Sequence, residues 1–154
     1  MIKRPSTRDI SPSNIVHFGR QGLLLDFHAA KVIDTNLAER DTSPSRRATG
    51  KLAYMAIGLH YDGGRQSCET DLESLFYSLL DVVSSGRALR WRHLIDPALI
   101  RGCKHNLVHD DREWSAALKH CCMEPLIPLL EDVREVVKQK KPSISMYLRA
   151  FGVA

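Results

Sequence analysis

The chain has 154 residues, of which 44% are hydrophobic and 26% charged, which is typical of one globular domain with a sizeable core. No apolar run approaches the roughly 20 residues that a membrane span requires. The first residues lack the apolar core of a secretory signal, so the expected location is cytoplasmic or nuclear. The formal net charge of +4 is modest, and no basic block is interleaved with aromatic residues. A nucleic-acid partner is therefore not expected.

The first predicted element is a small β-hairpin. Two short apolar runs, 14–18 and 23–27, flank a polar turn that contains Gly19 and Gly22. Residues 34–50 follow; they are polar and rich in Ser, Thr and Arg, which predicts a mobile loop. The hydroxyls of this loop that are candidates for regulatory phosphorylation are Thr42, Ser43, Ser45 and Thr49. An unmodified flexible loop is the alternative.

A long, heavily buried helix is predicted after the loop. Thr70 and Glu73 have the spacing of a capping box, and Gly86 ends the helix. The apolar positions at helical spacing are Leu72, Leu75, Phe76, Leu79, Leu80 and Val83. Further helices are predicted from about Asp111, from Pro125 to the residue before Pro142, and over 143–151. The expected fold is mainly α, a helical bundle with one small β-hairpin.

The four cysteines do not form a recognisable metal-binding pattern. They are Cys68, Cys103, Cys121 and Cys122, and no Cys-x-x-Cys pair occurs. A zinc site can be drawn from them and the nearby histidines, but the spacing fits no common template. Reduced, partly buried thiols are the favoured interpretation.

The most informative segment is 7–14, Thr-Arg-Asp-Ile-Ser-Pro-Ser-Asn, with Leu-Leu-Leu-Asp-Phe at 23–27. It supplies Asp9, Asn14 five residues later, and Asp26 at the end of an apolar strand. Phosphoryl transfer uses such groups: one carboxylate orients the substrate hydroxyl, while an amide oxygen and a second carboxylate hold magnesium on the phosphates. The pattern resembles the catalytic loop and the metal-binding segment of a eukaryotic-type protein kinase.

Two further stretches, Tyr-Met-Ala-Ile at 54–57 and Asp-Leu-Glu-Ser-Leu-Phe-Tyr at 71–77, are similar to the fungal-type protein kinase family. The specific similarity extends from about residue 7 to residue 80. The resemblance implies a single domain over 1–154 like the C-terminal lobe of a kinase. Its implied parts are a catalytic loop at 7–14, a metal-binding segment at 23–28, an activation segment at 26–58 and a helical body at 70–154.

The resemblance also implies a role for each matching residue. Asp9 would be the catalytic base, and Asn14 and Asp26 would bind Mg²⁺ and, through it, ATP. Arg8 would pair with a phosphate or an acidic group on the activation segment.

Two more residues would support the site. Phe27 would pack beneath the metal-binding aspartate, and Asp71 would accept hydrogen bonds from the catalytic-loop backbone. Four positions depart from the family pattern. Thr7 replaces a histidine, His28 replaces a glycine, Lys51 stands where the family commonly has threonine, and Gly58 lies close to the place of the family's glutamate at the end of the activation segment.

The sequence contains no Gly-x-Gly-x-x-Gly, and only six residues precede the catalytic-loop segment, so the expectation is that the N-terminal lobe is absent. We therefore expect a catalytically impaired, pseudokinase-like C-lobe that acts as a protein-binding or regulatory module without a cofactor. It would bind a partner or a second copy through the face that an N-terminal lobe normally covers, including Ile15, Val16, Leu23 and Leu25. The alternative is a Ser/Thr protein kinase C-lobe that uses ATP and Mg²⁺ when another chain or a longer form supplies the N-terminal lobe. A phosphotransferase of another substrate class and a nucleotide-independent scaffold also remain open.

Overall fold

The computed structural model describes residues 3–19, 21–28, 30–34, 50–61, 64–139 and 141–153. The strands are β1 (Lys3–Ser6), β2 (Ile15–Phe18), β3 (Gln21–Leu24) and β4 (Lys31–Asp34). The helices are α1 (Cys68–Val83), α2 (Pro97–His109), α3 (Asp111–Leu118), α4 (Ile127–Val137) and α5 (Ile144–Ala150). Short 3₁₀ helices occur at Pro12–Asn14, Ile57–His60 and Glu124–Leu126. The prediction of a mainly α fold with a small β-hairpin is confirmed. Most of the predicted 34–50 loop, with all four candidate phosphorylation sites, lies outside the described residues.

The β-hairpin joins β2 and β3 in an antiparallel pair, with Val16 opposite Leu23 and Phe18 opposite Gln21. Because side chains alternate between the two faces of a strand, Val16, Phe18, Leu23 and Leu25 share one face. That face is exposed to solvent. Ile15 lies on the opposite face and is half-buried, so it does not belong to the exposed apolar surface with which the sequence analysis grouped it.

A second antiparallel pair, which the sequence did not predict, joins β1 to β4. Its register runs from Lys3 opposite Asp34 to Ser6 opposite Lys31. The pairing brings together the two ends of residues 6–31, which contain both the catalytic-loop segment and the β-hairpin. β1 and the 3₁₀ turn at Pro12–Asn14 also contact α1, so the catalytic-loop segment is held against the helical body.

Helix α1 begins three residues earlier than the Thr70–Glu73 spacing predicted, at Cys68. Its capping box is formed by Ser67 and Thr70: the Ser67 hydroxyl accepts from the Thr70 amide at 3.3 Å, and the Thr70 hydroxyl accepts from the Ser67 amide at 2.9 Å. The Glu73 carboxylate instead accepts from the amide of Ile57 at 2.8 Å and from the hydroxyl of Tyr77 at 3.0 Å. Glu73 thus connects the chain at Ile57 to α1 and does not cap the first turn of the helix.

Helix α1 is the central element of the core. It has eight buried residues, more than any other described helix. Phe76, Tyr77 and Leu80 are fully buried, whereas Leu75 of the predicted apolar stripe is only half-buried. The Phe76 ring stacks on Trp114 of α3, with 6.1 Å between ring centroids. This burial agrees with the predicted central position of the helix.

Helix α2, which the sequence analysis did not predict, carries a fully buried lysine, Lys104. Its ammonium donates to the carbonyl oxygens of Leu52, at 2.7 Å, and Met55, and it lies 3.0 Å from Nε2 of His60. Burial lowers the pKa of Lys104 to about 7, and burial together with the lysine charge lowers the pKa of His60 to about 4. Lys104 therefore ties residues 52–60 to the helical body.

The remaining helices agree with the predicted order. Helix α3 begins at Asp111 as predicted, and a 3₁₀ turn containing Pro125 leads into α4. The buried Arg134 of α4 donates to the carbonyl of Val108 and to the carboxylate of Asp111, at 2.8 Å each. Across the described ranges, no helix is long and apolar enough to cross a membrane.

Candidate active site

The carboxylate of Asp71, in the first turn of α1, holds the start of the catalytic-loop segment. It accepts from the backbone amide of Thr7 at 2.7 Å and from that of Arg8 at 3.2 Å. Gln66 donates to the same carboxylate at 3.1 Å. Arg8 has φ of 66°, in a left-handed region that non-glycine residues seldom occupy. The hydrogen bonds to Asp71 stabilise this uncommon backbone immediately before Asp9.

The side chain of Asn14 is bound to Asp9. Its amide nitrogen donates to the backbone oxygen of Asp9 at 2.9 Å and to Asp9 Oδ2 at 3.0 Å. These two bonds fix the amide orientation, because the nitrogen must face Asp9 and the oxygen Oδ1 must then face away. Asn14 Oδ1 is left as an acceptor for a further group. Within the described residues it accepts one long hydrogen bond, from the Ser13 hydroxyl at 3.5 Å.

Backbone pairing brings Asp26 to the same end of the site. The amide of Leu25 donates to the carbonyl of Asn14 at 2.6 Å, and Asp26 is the next residue in the chain. Like Arg8, Asp26 has a left-handed backbone, with φ of 62°. Uncommon left-handed conformations therefore occur at Arg8 and at Asp26, two residues to which the kinase resemblance assigns a function.

The exposed Asp26 carboxylate is paired with His28. The imidazole Nδ1 contacts Asp26 Oδ1, so only Oδ2 is left for another ligand. This hydrogen bond is the main reason that the pKa of Asp26 is lowered and the pKa of His28 is raised. The charge of Asp9 makes a smaller contribution to the rise in the pKa of His28.

Phe27, which the resemblance places beneath Asp26, is largely exposed. Its side chain is 56% exposed. The left-handed backbone at Asp26 turns the chain there, and the turn continues with a bond from the Ala30 amide to the Phe27 carbonyl, at 2.9 Å.

The donor set of the site suits magnesium. Asn14 Oδ1 and Asp26 Oδ2 are hard oxygen donors, and Mg²⁺ bound with a nucleotide takes few protein oxygens in addition to phosphates and water. Among all the described residues, those of this site included, no group of three or more His, Cys, Asp or Glu side chains could hold a metal ion. That finding gives the zinc alternative no support.

The chain returns to the catalytic loop at Gly50 and Lys51, within the predicted activation segment. Gly50 has φ of 117°, and a β-carbon there would lie 2.8 Å from the carbonyl of Arg8. The Lys51 amide lies 3.4 Å from Asp9 Oδ1, and its ammonium donates to the hydroxyl of Ser13. In the sequence, Lys51 is recognisable only as a departure from the family pattern, and these two contacts with the site were not predicted.

Arg8 was predicted to pair with a phosphate or an acidic group on the activation segment at 26–58, part of which (35–49) lies outside the described residues. The Nε atom of Arg8 is buried and has no hydrogen-bond partner among the described residues. The other predicted residues are connected by short links: Asp71 to the backbone of Arg8, Asp9 to Asn14, and Asn14 to the residue before Asp26.

The helical body, the β-hairpin and the catalytic-loop segment together define a protein-kinase-like domain. The family model of fungal protein kinases matches residues 6–83, just over half of the chain. The chain belongs to the fungal protein kinase family. The matched region includes the catalytic-loop segment, the hairpin and the whole of α1. No curated protein matches the chain.

Proposed function

We propose that these residues supply the catalytic-loop half of a Ser/Thr protein kinase active site, which transfers a phosphoryl group from ATP to a protein hydroxyl. The observation that carries the proposal is the Asn14 side chain. Its nitrogen is fixed on Asp9 while its oxygen remains available, and its backbone carbonyl is paired beside Asp26. Membership of a protein kinase family supports the same reaction class.

In the proposed reaction, Asp9 orients the substrate hydroxyl and accepts its proton as the oxygen bonds to the terminal phosphorus. The bond from that phosphorus to the bridging oxygen breaks, and its electron pair leaves with ADP. Asn14 Oδ1 and Asp26 Oδ2 would hold Mg²⁺, which when bound neutralises negative charge on the phosphates. Asn14 also restrains Asp9 Oδ2, which keeps the carboxylate directed at one position.

Nucleotide binding is the direct test of this half-site, because turnover in a kinase also needs a Gly-rich loop and a phosphate-binding lysine. We expect MgATP to raise the midpoint of thermal unfolding. Ligand at a hundred times its dissociation constant stabilises a fold by about 2.7 kcal/mol, which shifts the midpoint of a domain of this size by several degrees. Differential scanning fluorimetry across a range of MgATP concentrations measures the shift.

The controls separate a specific site from general charge effects. Asn14→Ala and Asp26→Asn should reduce the shift, and a chelator of Mg²⁺ should remove it. Asp132→Asn, which removes one carboxylate from the exposed side of α4, should leave it unchanged. The absence of a shift in the wild-type chain at millimolar MgATP would contradict the proposed function.

A second candidate function, a protein-binding module with impaired catalysis, has an observation of its own in its favour. The hairpin face formed by Val16, Phe18, Leu23 and Leu25 is apolar and exposed, with Phe18 75% exposed. Contiguous exposed apolar surface on a small domain marks an interaction site. The contact of His28 with Asp26 points the same way, since it occupies one carboxylate oxygen that a metal would use.

If the hairpin face is an interface, the chain should self-associate or capture a protein through it. We expect Phe18→Glu to shift the chain from dimer to monomer at micromolar concentration, because a charge cannot be buried without a partner. Multi-angle light scattering measures the molar mass directly.

The matched control is Ile95→Glu, which places the same charge at an apolar side chain that is 88% exposed outside the hairpin. It should leave the molar mass unchanged. Two results together would contradict the second candidate function. The wild-type chain would be monomeric at all concentrations, and the Phe18→Glu variant would bind every protein that the wild type binds.

A further inference from the structure

The catalytic-loop segment itself carries no cation between its two functional residues. The residues between Asp9 and Asn14 are Ile10, Ser11, Pro12 and Ser13. A transferring phosphoryl group carries negative charge on three oxygens, and stabilising that charge is the main task of a phosphoryl-transfer site. Two carboxylates at the site, Asp9 and Asp26, make the requirement for a cation stronger.

Lys51 brings a cation to this segment from elsewhere in the chain. Its ammonium donates to the hydroxyl of Ser13, which lies 3.1 Å from the hydroxyl of the buried Ser11. Its backbone amide faces Asp9 Oδ1 at 3.4 Å. We propose that Lys51 binds the terminal phosphoryl group of the nucleotide beside Asp9. This inference rests on the proposed function and assigns a ligand contact to a residue that the kinase resemblance marks only as a departure.

The backbone of Lys51 is held on both sides. Gly50 packs so closely on the carbonyl of Arg8 that no β-carbon would fit, and the Lys51 carbonyl accepts from the amides of Tyr54, at 2.9 Å, and Met55, at 3.1 Å. Lys104 in turn binds the Met55 carbonyl. The base of the side chain is therefore positioned by the fold, whereas the side chain itself is exposed and can move.

The present partner of the ammonium is weaker than a phosphate. A neutral hydroxyl such as that of Ser13 gives a weaker hydrogen bond than a charged oxygen does, so an arriving phosphoryl oxygen should replace it or share the ammonium with it. Lys51 neither donates nor accepts a proton in the proposed step. The proton of the substrate hydroxyl goes to Asp9, the new phosphorus–oxygen bond forms to the substrate, and ADP leaves with the electron pair of the broken bond.

The test compares a triphosphate with a diphosphate, because only the triphosphate carries the terminal group. Isothermal titration calorimetry measures the affinity of a non-hydrolysable ATP analogue with Mg²⁺, and of ADP with Mg²⁺, for the full chain. We expect Lys51→Met to weaken binding of the ATP analogue about tenfold, the size of a lost charged hydrogen bond, and to leave ADP affinity within about twofold. Lys51→Arg, which keeps the charge, should retain most of the preference for the triphosphate.

Lys138→Met is the matched control, since it removes the same charge from the end of α4, where Lys138 pairs with Glu135. It should change neither affinity. A Lys51→Met chain that binds both nucleotides as the wild type does would overturn the inference alone, as would equal weakening for both. A folded wild-type chain that binds neither nucleotide would overturn the proposed function, and the inference with it. Lys51→Thr serves as a second variant if Lys51→Met fails to fold.

Discussion

Phe76→Ala is expected to lower the free energy of unfolding by about 3–5 kcal/mol, the usual cost of removing a buried aromatic ring. Phe76 is fully buried in α1, with its ring centroid 5.3 Å from that of Tyr77 and 6.1 Å from that of Trp114. Neighbours on two sides are rigid aromatic rings, so the cavity should collapse only in part. Urea denaturation followed by tryptophan fluorescence measures the change.

Val82→Ala is the matched control within the same helix. Val82 is 58% exposed, and its truncation should change stability by less than about 0.5 kcal/mol, apart from the small gain in helix propensity. A loss below about 1 kcal/mol for Phe76→Ala would show that α1 is not the centre of the core, and would remove the structural basis for placing Asp71 under the catalytic loop.

Local patterns in the sequence predicted the elements that depend on local signals. The hairpin has glycines at its turn and apolar runs on either side, and α1 has a strong apolar period closed by Gly86, whose φ is 79°. The β1–β4 pair could not be found in this way, since its strands are more than twenty residues apart and no turn links them.

Helix α2 was missed for a different reason. Asp96 caps it and Pro97 opens it, which are recognisable start signals. Lys104, however, occupies a fully buried position in the middle of the helix, where an apolar residue would complete the stripe. Lys104 is accommodated in the core because its ammonium donates to the carbonyls of Leu52 and Met55. The sequence alone does not reveal these contacts.

In the candidate site, too, some features were predictable from the sequence and others depend on three-dimensional contacts. The spacing of Asp9, Asn14 and Asp26 is a sequence signal, and the structure links these residues through the contacts of Asn14. The contacts of His28 and Lys51 depend on turns and on the return of a distant segment. The left-handed backbone at Asp26 brings His28 onto the carboxylate, and the close approach of Gly50 brings Lys51 to Ser13.

Lys104 should make the stability of the fold rise with pH above neutrality. Its pKa is about 7 in the folded chain, against 10.5 for an exposed lysine. Between these values the unfolded chain binds a proton that the folded chain has lost, so the free energy of unfolding increases as the pH rises. From pH 7 to pH 9 the increase should be about 2 kcal/mol, at 1.36 kcal/mol per proton and pH unit. Urea denaturation at closely spaced pH values measures it.

Lys104→Met isolates this contribution, because it retains most of the side-chain volume and cannot titrate. The variant should show no rise between pH 7 and pH 9, whatever its absolute stability. It should keep a separate rise at lower pH, since the pKa of His60 is lowered to about 4 from 6.5, mainly by burial, and the folded chain binds fewer protons in that window as well. If the wild-type and Lys104→Met curves run parallel above pH 7, Lys104 remains charged in the core. The carbonyls of Leu52 and Met55 would then outweigh the cost of its burial.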